Sequence, residues 1–251
     1  MAGLAFWDSA YYAPEQDNGA KQVASYEFIP WVLGQCENLM QARELLAGLR
    51  VTNAAFRPEL PPSPLHWMIA DRSGAIVVEA TKDGVKIYDN PAGVLTNEPP
   101  FDWQMTNLRN YLTLTPGIPK STFAENLPLT PYSKGMGALG LPGDLSSASR
   151  FVRAAFVRGN SLSSEDEGES VGQFFHILRS VEQPRGCCRL EKGKCEITIY
   201  SSCCNADKGI YYYTTYGNSQ ITAVDMHREN LDGAELISYP LIEAQQIRRM
   251  N

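Results

Sequence analysis

Short apolar runs that are separated by turn residues dominate the chain from position 65 to position 97. Apolar, β-branched and aromatic residues fill these runs, and the sequences RSG, KDG and NPAG interrupt them. Residues of the first kind favour strands, and Gly, Asp and Asn favour the tight turns between antiparallel strands. The pattern predicts an antiparallel meander with strands at Leu65–Asp71, Ala75–Thr81, Gly84–Asn90 and Gly93–Asn97.

A second group of strands is predicted near the carboxyl end, at 195–203, 208–216 and 219–226, with a further one at 234–240. Between and before the strands, apolar residues recur with helical spacing at 36–49, 149–158 and 169–181. Strands that cluster and helices that cluster are typical of α+β proteins. We therefore expect helices on the outer faces of two stacked sheets.

Two further segments stand out from this pattern. Ala2–Phe6 is apolar and strand-like, so the chain begins where we expect a strand of a sheet. Asn107–Gly140 is rich in Pro, Gly, Thr and Ser and is too long for an ordinary connection. Long segments of this kind are usually functional, and we expect an assembly arm here.

Composition narrows the function classes. The 251 residues include 28 acidic and 22 basic side chains, a formal net charge of −6, without the basic and aromatic runs that nucleic-acid binding requires. No apolar run approaches the ~20 residues of a membrane span, and the first residues do not resemble a signal peptide. We expect a cytoplasmic protein that binds neither nucleic acid nor membranes. The six cysteines lack zinc-site spacing and are interpreted as reduced structural thiols, with no metal ligands among them.

Several long motifs resemble one known family. They read PLHWMIAD, GVLTNEPPFDWQMTNL, GLPGDLSSASRFVRAAF, FFHILRSVEQPRG and YSSCCNADKGIYYYTTYGNSQITAVDM. From about Leu4 to the carboxyl end, the chain is similar to the choloylglycine hydrolase family, specifically its bile salt hydrolase branch. The resemblance implies the four-layer αββα sandwich of N-terminal-nucleophile hydrolases, as one domain over 1–251 whose arm at about 107–140 reaches neighbouring subunits of a homotetramer or dimer. It implies no cofactor.

The resemblance also implies an activity. Family members cleave the amide bond of glycine- or taurine-conjugated bile acids, and related acylases cleave penicillin V. Their nucleophile is an amino-terminal cysteine whose own α-amino group serves as the base. No residue of this chain matches that cysteine, so we expect an amino-terminally truncated enzyme that is inactive as it stands. The alternatives are an inactive remnant that serves as a ligand-binding or assembly module, and an amidase of the penicillin V acylase type.

Three catalytic positions follow from the family motifs. Asn97 in VLTNEPP matches the asparagine whose side-chain amide donates to the oxyanion, and Arg150 in SSASRF matches the arginine beside the nucleophile. Ala5 stands where the family has an asparagine, and its backbone N–H would be the second oxyanion donor. Without the family match, Asn97 would be interpreted as a turn residue and Arg150 as a solvated surface residue.

A steroid-sized substrate needs a mostly apolar slot. Phe56, Leu60 and Leu65 fall where the family lays apolar loop residues against the steroid. Ordinary core packing is the rival interpretation and is strongest for Leu65.

The sequence also offers the residues of a second catalytic arrangement. Cys203 or Cys204 with one of the three histidines, His66, His176 or His227, would make a cysteine–histidine hydrolase. We do not favour it, because these histidines fall in a strand, on an apolar helix and in a polar turn.

Overall fold

The computed structural model describes residues 1–16 and 19–251. The chain divides into two compact units, Met1–Ala155 and Phe156–Asn251, and each is described by itself. Helices and strands occur in both units, which confirms the α+β class. The prediction of a single domain over 1–251 stays a prediction. Within the described ranges, no helix is long and apolar enough to span a membrane.

The elements of the first unit are β1 (Ala2–Phe6), β2 (Gln22–Ala24), α1 (Phe28–Leu33), α2 (Leu39–Leu46), β3 (Arg50–Thr52), β4 (Leu65–Asp71), β5 (Gly74–Thr81), β6 (Gly84–Asp89), α3 (Phe101–Asn107) and α4 (Ser147–Asn160). Four of the strands form an antiparallel sheet in the order β1-β4-β5-β6, and β2 and β3 form a separate parallel pair. Helix α4 continues past Ala155, the last residue of this unit.

Strand β5 is buried on both faces. Its successive side chains point to opposite sides of the sheet, and other elements cover both sides. Ile76 and Val78 face a core that α1 and α2 cover. Val77 points the other way and packs with Phe101 of α3 and Phe151 of α4. Residues of odd number on β5 therefore face α3 and α4, and this parity positions the candidate site.

The second unit contains α5 (Glu167–Arg179) and an antiparallel sheet of β7 (Tyr200–Asn205), β8 (Ile210–Thr215) and β9 (Asn218–Asp225) in the order β7-β8-β9. Glu167 at the start of α5 joins the helix to the sheet. It accepts hydrogen bonds from Lys208, Tyr212 and Asn205 at 2.6, 2.9 and 2.6 Å. The bond from Lys208 is the main reason why the pKa of the Glu167 carboxyl lies below its usual value.

The first three strands of the predicted meander are confirmed within one residue. The fourth is wrong, because 93–97 is irregular. The side chain of Asn90 accepts a bond from Gly93 N at 2.8 Å and donates to Val94 O at 3.0 Å. Gly93 has φ +60°, a left-handed conformation that few other residues adopt readily. This local turn takes the chain out of the sheet.

The predicted strands in the second unit need a similar correction. The strand at 195–203 begins only at Tyr200, because Thr198 and Glu196 bond to the carbonyls of Gln183 and Cys188 in the preceding loop. The segment 234–240 forms no strand. The predicted helices at 36–49, 149–158 and 169–181 correspond to α2, α4 and α5, whereas the sequence pattern does not predict α1 and α3.

Candidate active site

Asn97 lies in the irregular segment that leads from β6 to α3, and three hydrogen bonds hold it. Its Nδ2 donates to Phe6 O at 3.0 Å, its backbone N–H donates to Oγ of Ser147 at 2.8 Å, and its Oδ1 accepts from Nη2 of Arg150 at 2.7 Å. A guanidinium group has only donors, so the oxygen of the Asn97 amide must face Arg150. The NH₂ group of Asn97 therefore faces away from Arg150. One of its two N–H groups is used by Phe6, and the other has no acceptor among the described residues.

Arg150 lies in the first turn of α4, where backbone and side-chain contacts hold it in place. Its backbone N–H donates to Ser146 O at 2.9 Å, and its Nε donates to Leu145 O at 3.1 Å. Arg150 and Asn97 thus meet although they are 53 positions apart in the sequence. Arg153, one turn later, donates to the carbonyls of Pro142 and Asp144, which gives it a structural role in the loop before α4.

Ser147, the first residue of α4, connects the helix to the Asn97 segment. Its hydroxyl accepts the bond from Asn97 N and donates to Oγ1 of Thr96 at 3.0 Å. The sequence pattern around Ser147 indicates only a helix cap. No local pattern points to its second role, because its partners are about 50 positions away.

A buried histidine lies behind the same segment. Nε2 of His66 is 2.7 Å from Thr96 O, and Nδ1 is 3.1 Å from Oε1 of Glu79. The indole of Trp7 stacks on the His66 ring at a centroid distance of 5.5 Å. From the sequence, His66 is a candidate only in the cysteine–histidine arrangement, and Glu79 is not a candidate. The available signal was a glutamate inside the apolar strand AIVVEAT, because a fully buried carboxylate is rare without a partner.

Comparisons with known proteins assign the chain to a family. The model of the linear amide C–N hydrolases, choloylglycine hydrolase family, matches residues 1–239. The chain belongs to the choloylglycine hydrolase family. A bile salt hydrolase/transferase of Lactiplantibacillus plantarum is 52% identical over 251 residues, covering 100% of this chain and 77% of the relative. A bile salt hydrolase/transferase of Clostridium perfringens is 39% identical over 252 residues, covering 100% and 76%.

Solved structures agree with the family assignment. A conjugated bile acid hydrolase from Clostridium perfringens, crystallised as a variant with an arginine replaced by leucine, superimposes with a TM-score of 0.90 at 37% identity and covers 100% of this chain and 77% of that one. Penicillin V acylase from Agrobacterium tumefaciens gives a TM-score of 0.69 at 19% identity, with coverage of 90% and 63%. The second likeness concerns the fold alone. The chain thus has the N-terminal-nucleophile hydrolase fold.

The backbone of Ala5, the third position predicted from the family motifs, belongs to the β1–β4 ladder. Met1 and Ala70 exchange two hydrogen bonds, and Trp7 N donates to Pro64 O at 3.0 Å. Hydrogen-bonded pairs alternate along an antiparallel ladder, so Ala5 N–H points at the carbonyl of His66, its register partner. The family role as a second oxyanion donor stays a prediction, and the His66 carbonyl competes for this N–H.

The three predicted steroid contacts lie in different environments. Phe56 and Leu60 belong to an exposed loop, with 57% and 51% of their surfaces accessible. The ring of Phe56 packs edge-on against Tyr26, with centroids 5.2 Å apart. Leu65 is only 6% exposed and packs in the core that faces α1 and α2. The side chain of Leu65 is thus largely enclosed by the protein, which favours the core interpretation, and its contact with the substrate stays a prediction.

Two members of the cysteine–histidine alternative, Cys203 and His66, are poorly suited to their roles. Burial raises the pKa of the Cys203 thiol to about 11, so this thiol is protonated at neutral pH and is a poor nucleophile. Both ring nitrogens of His66 already have partners within its own unit. Among the described residues, no group of three or more His, Cys, Asp or Glu side chains is placed to hold a metal ion.

A cavity of about 610 Å³ lies elsewhere in the first unit. It opens between the β5–β6 hairpin and the segment that follows α2, next to Arg50 and Lys82. Neither Asn97 nor Arg150 lines it. Its size alone therefore does not connect it to the chemistry of the family.

Proposed function

We propose that this chain provides the oxyanion-binding part of an amidase that hydrolyses glycine- or taurine-conjugated bile acids. The single observation that carries the proposal is the bond from Arg150 to Oδ1 of Asn97, which leaves an N–H of Asn97 to be donated. The chain belongs to a family of linear amide hydrolases, so the side-chain amide of Asn97 is a candidate hydrogen-bond donor in amide hydrolysis. A preorganised donor of this kind stabilises the negative oxygen of a tetrahedral intermediate.

In the proposed reaction, a cysteine thiolate attacks the amide carbonyl carbon, and the electron pair of the C=O bond moves to oxygen. The free N–H of Asn97 then donates to that oxygen. The C–N bond breaks when the leaving nitrogen takes the proton that the α-amino base removed from the thiol, which releases glycine or taurine and leaves a thioester. Water then hydrolyses the thioester to the free bile acid and the thiol. Arg150 supports the step by orienting the amide, because its bond to Oδ1 turns the NH₂ group of Asn97 toward the developing negative charge.

We propose that the nucleophile is not among the 251 residues of this sequence. The chain spans 77% of the length of the Lactiplantibacillus plantarum relative. We propose that the cysteine and its α-amino base reside on an additional amino-terminal segment, and that the 251-residue chain alone lacks hydrolase activity. We also propose that the enzyme is cytoplasmic.

The test compares two proteins. One is the 251-residue chain, and the other is the same chain fused behind the part of the Lactiplantibacillus plantarum relative that it does not match. Release of glycine and taurine from conjugated bile acids is measured for both, with penicillin V as a second substrate. We expect hydrolysis of the bile acids by the fused protein and none by the chain alone.

Each other outcome has a defined meaning. Hydrolysis of bile acids by the chain alone would overturn the external nucleophile, and preference of the fused protein for penicillin V would overturn the substrate class. A folded fused protein that is inactive on both substrates would favour a ligand-binding or assembly module. Folding is checked by circular dichroism and cooperative thermal unfolding before activity is compared.

A further inference from the structure

Two buried titratable side chains lie opposite each other on the first sheet. His66 on β4 and Glu79 on β5 continue the register that pairs Trp67 with Val78. Both side chains are 1% exposed, and Nδ1 of His66 lies 3.1 Å from Oε1 of Glu79. By the parity of β5, Glu79 points to the same side as Val77, toward α3 and α4.

The contacts of the pair determine how many protons it holds. Thr96 O can only accept, so Nε2 of His66 must carry a proton. A second proton lies between Nδ1 and Glu79, either on the ring or on the carboxyl group. Both forms contain the same number of protons, and both leave Oε1 of Glu79 able to accept the backbone N–H of Phe101 at 2.9 Å. The pair therefore satisfies all of its buried partners at once.

The contacts of the pair with Thr96 and Phe101 lie on either side of Asn97 in the sequence. His66 holds the carbonyl of Thr96, one residue before Asn97, and Glu79 holds the N–H of Phe101, four residues after it. The segment 96–101 is thus tied to β4 and β5 at both ends. A buried pair of this kind is weak as a source of stability, because desolvation offsets the attraction. A catalytic donor, in contrast, needs its supporting contacts, since small displacements cost large factors in rate.

We propose that His66 and Glu79 are positioning residues that hold the Asn97 amide in place as the oxyanion donor. The pair anchors the segment 96–101 at its two ends and touches no reacting atom. This inference rests on the proposed function of Asn97.

Glu79→Gln is the informative variant because it preserves the shape of the side chain. If the amide oxygen faces His66 and Phe101, it can only accept, so Nδ1 of His66 must carry a proton. The buried ring is then either cationic without a counter-ion, or neutral with an unprotonated Nε2 facing Thr96 O. If the amide NH₂ group faces them instead, it and the N–H of Phe101 are both donors, so the hydrogen bond to Phe101 is lost. Every arrangement therefore either breaks one anchor or leaves a buried charge without a counter-ion. His66→Gln combined with Glu79→Gln restores both, because the first new amide can donate to Thr96 O while the second accepts from Phe101.

The experiment measures kcat and KM of the fused protein described above. We expect Glu79→Gln to lower kcat about tenfold or more with KM changed less than about threefold, and the double Gln variant to recover most of the loss. We expect Glu79→Gln to have little further effect when Asn97 is already Ala, since the pair acts through Asn97. Leu46→Ala, which removes a core side chain of α2, is the control for lost stability alone.

A second measurement does not depend on activity. Hydrogen exchange of the Phe101 backbone amide is followed by NMR in the 251-residue chain, and we expect Glu79→Gln to accelerate it at least about tenfold over Leu46→Ala. An unchanged kcat, or an equal loss in the Asn97→Ala background, would overturn the positioning role. If the fused wild type is inactive, the proposed function fails, and unchanged exchange would then overturn the anchoring itself.

Discussion

Arg150 and Asn97 are joined by a hydrogen bond of 2.7 Å that determines the orientation of the Asn97 amide. Because the guanidinium can only donate, the oxygen of the amide is turned toward α4 and its NH₂ group is turned away. The Ser147 hydroxyl, which holds the backbone of Asn97, comes from the same first turn of that helix. Helix α4 therefore contributes to both the position and the direction of the proposed oxyanion donor.

Replacing Arg150 by Met tests this relationship. The variant keeps an unbranched side chain but removes the donor, so the Asn97 amide can rotate, and we expect kcat of the fused protein to fall at least about tenfold. The control is Arg43→Met, which removes a partly exposed arginine that pairs with Asp89. If Arg150 acts by orienting the amide, combining Arg150→Met with Asn97→Ala costs clearly less than the product of the two single effects. A full product would contradict the orienting role.

Replacing Asn97 by Ala removes the donor itself. We expect kcat to fall by about 100-fold or more, the usual effect of losing one oxyanion donor. Asn110→Ala, at an exposed position beyond α3, is the matched control and should leave kcat unchanged. Steady-state release of glycine or taurine gives both values. Equal activity of the Asn97→Ala and wild-type proteins would contradict the assignment.

Phe56 and Leu65 should respond differently to truncation. Phe56→Ala removes an exposed loop side chain, so we expect KM for conjugated bile acids to rise with little change in thermal stability. Leu65→Ala opens a cavity in the core, so we expect the free energy of unfolding to fall by about 2–5 kcal/mol. Urea denaturation and substrate titration separate the two effects. An unchanged KM in folded Phe56→Ala would remove this residue from the substrate slot.

Asp71 should make stability depend on acid pH. Its carboxylate accepts bonds from the Ser73 hydroxyl and from the backbone N–H groups of Leu39 and Ser73, and these bonds lower its pKa to about 2. A group whose pKa is lowered by folding stabilises the protein above its unfolded pKa of about 4, and loses this effect as pH falls toward the folded value. We expect the stability advantage of wild type over Asp71→Asn to be constant above about pH 4 and to shrink toward pH 2. Urea unfolding across this range measures it, and an advantage independent of pH would contradict the prediction.

The segment 107–140 should mediate assembly. It is mostly irregular, and the large apolar side chains of Leu112, Phe123 and Tyr132 are exposed on it. Exposed apolar surface is what an assembly interface buries. We expect light scattering of the fused protein to give the mass of a dimer or tetramer, and replacement of all three side chains by Ser to reduce it. If the wild-type protein has the mass of one subunit, the proposed role of segment 107–140 in assembly is refuted.

The positions of several elements could be read from the sequence, because alternation and helical spacing report which side chains must be buried. The periodicity of LHWMIAD and AIVVEAT is enough to identify β4 and β5, and the family motifs identify Asn97 and Arg150. The sequence pattern does not indicate helix α3, because this helix is short and follows the prolines of NEPP. The strand predicted at 93–97 failed because an asparagine side chain and one glycine at positive φ outweighed strand propensity.

By itself, the sequence determined the α+β class, the family and the chemical types of Asn97 and Arg150. Only the tertiary structure decided that Arg150 orients the amide, that His66 and Glu79 lie behind it, and that Leu65 faces the core. The reason is physical: periodicity describes one element at a time, whereas these contacts depend on strand register and on the approach of segments up to 53 positions apart. Such contacts form only when the elements pack, so no local stretch of sequence contains them.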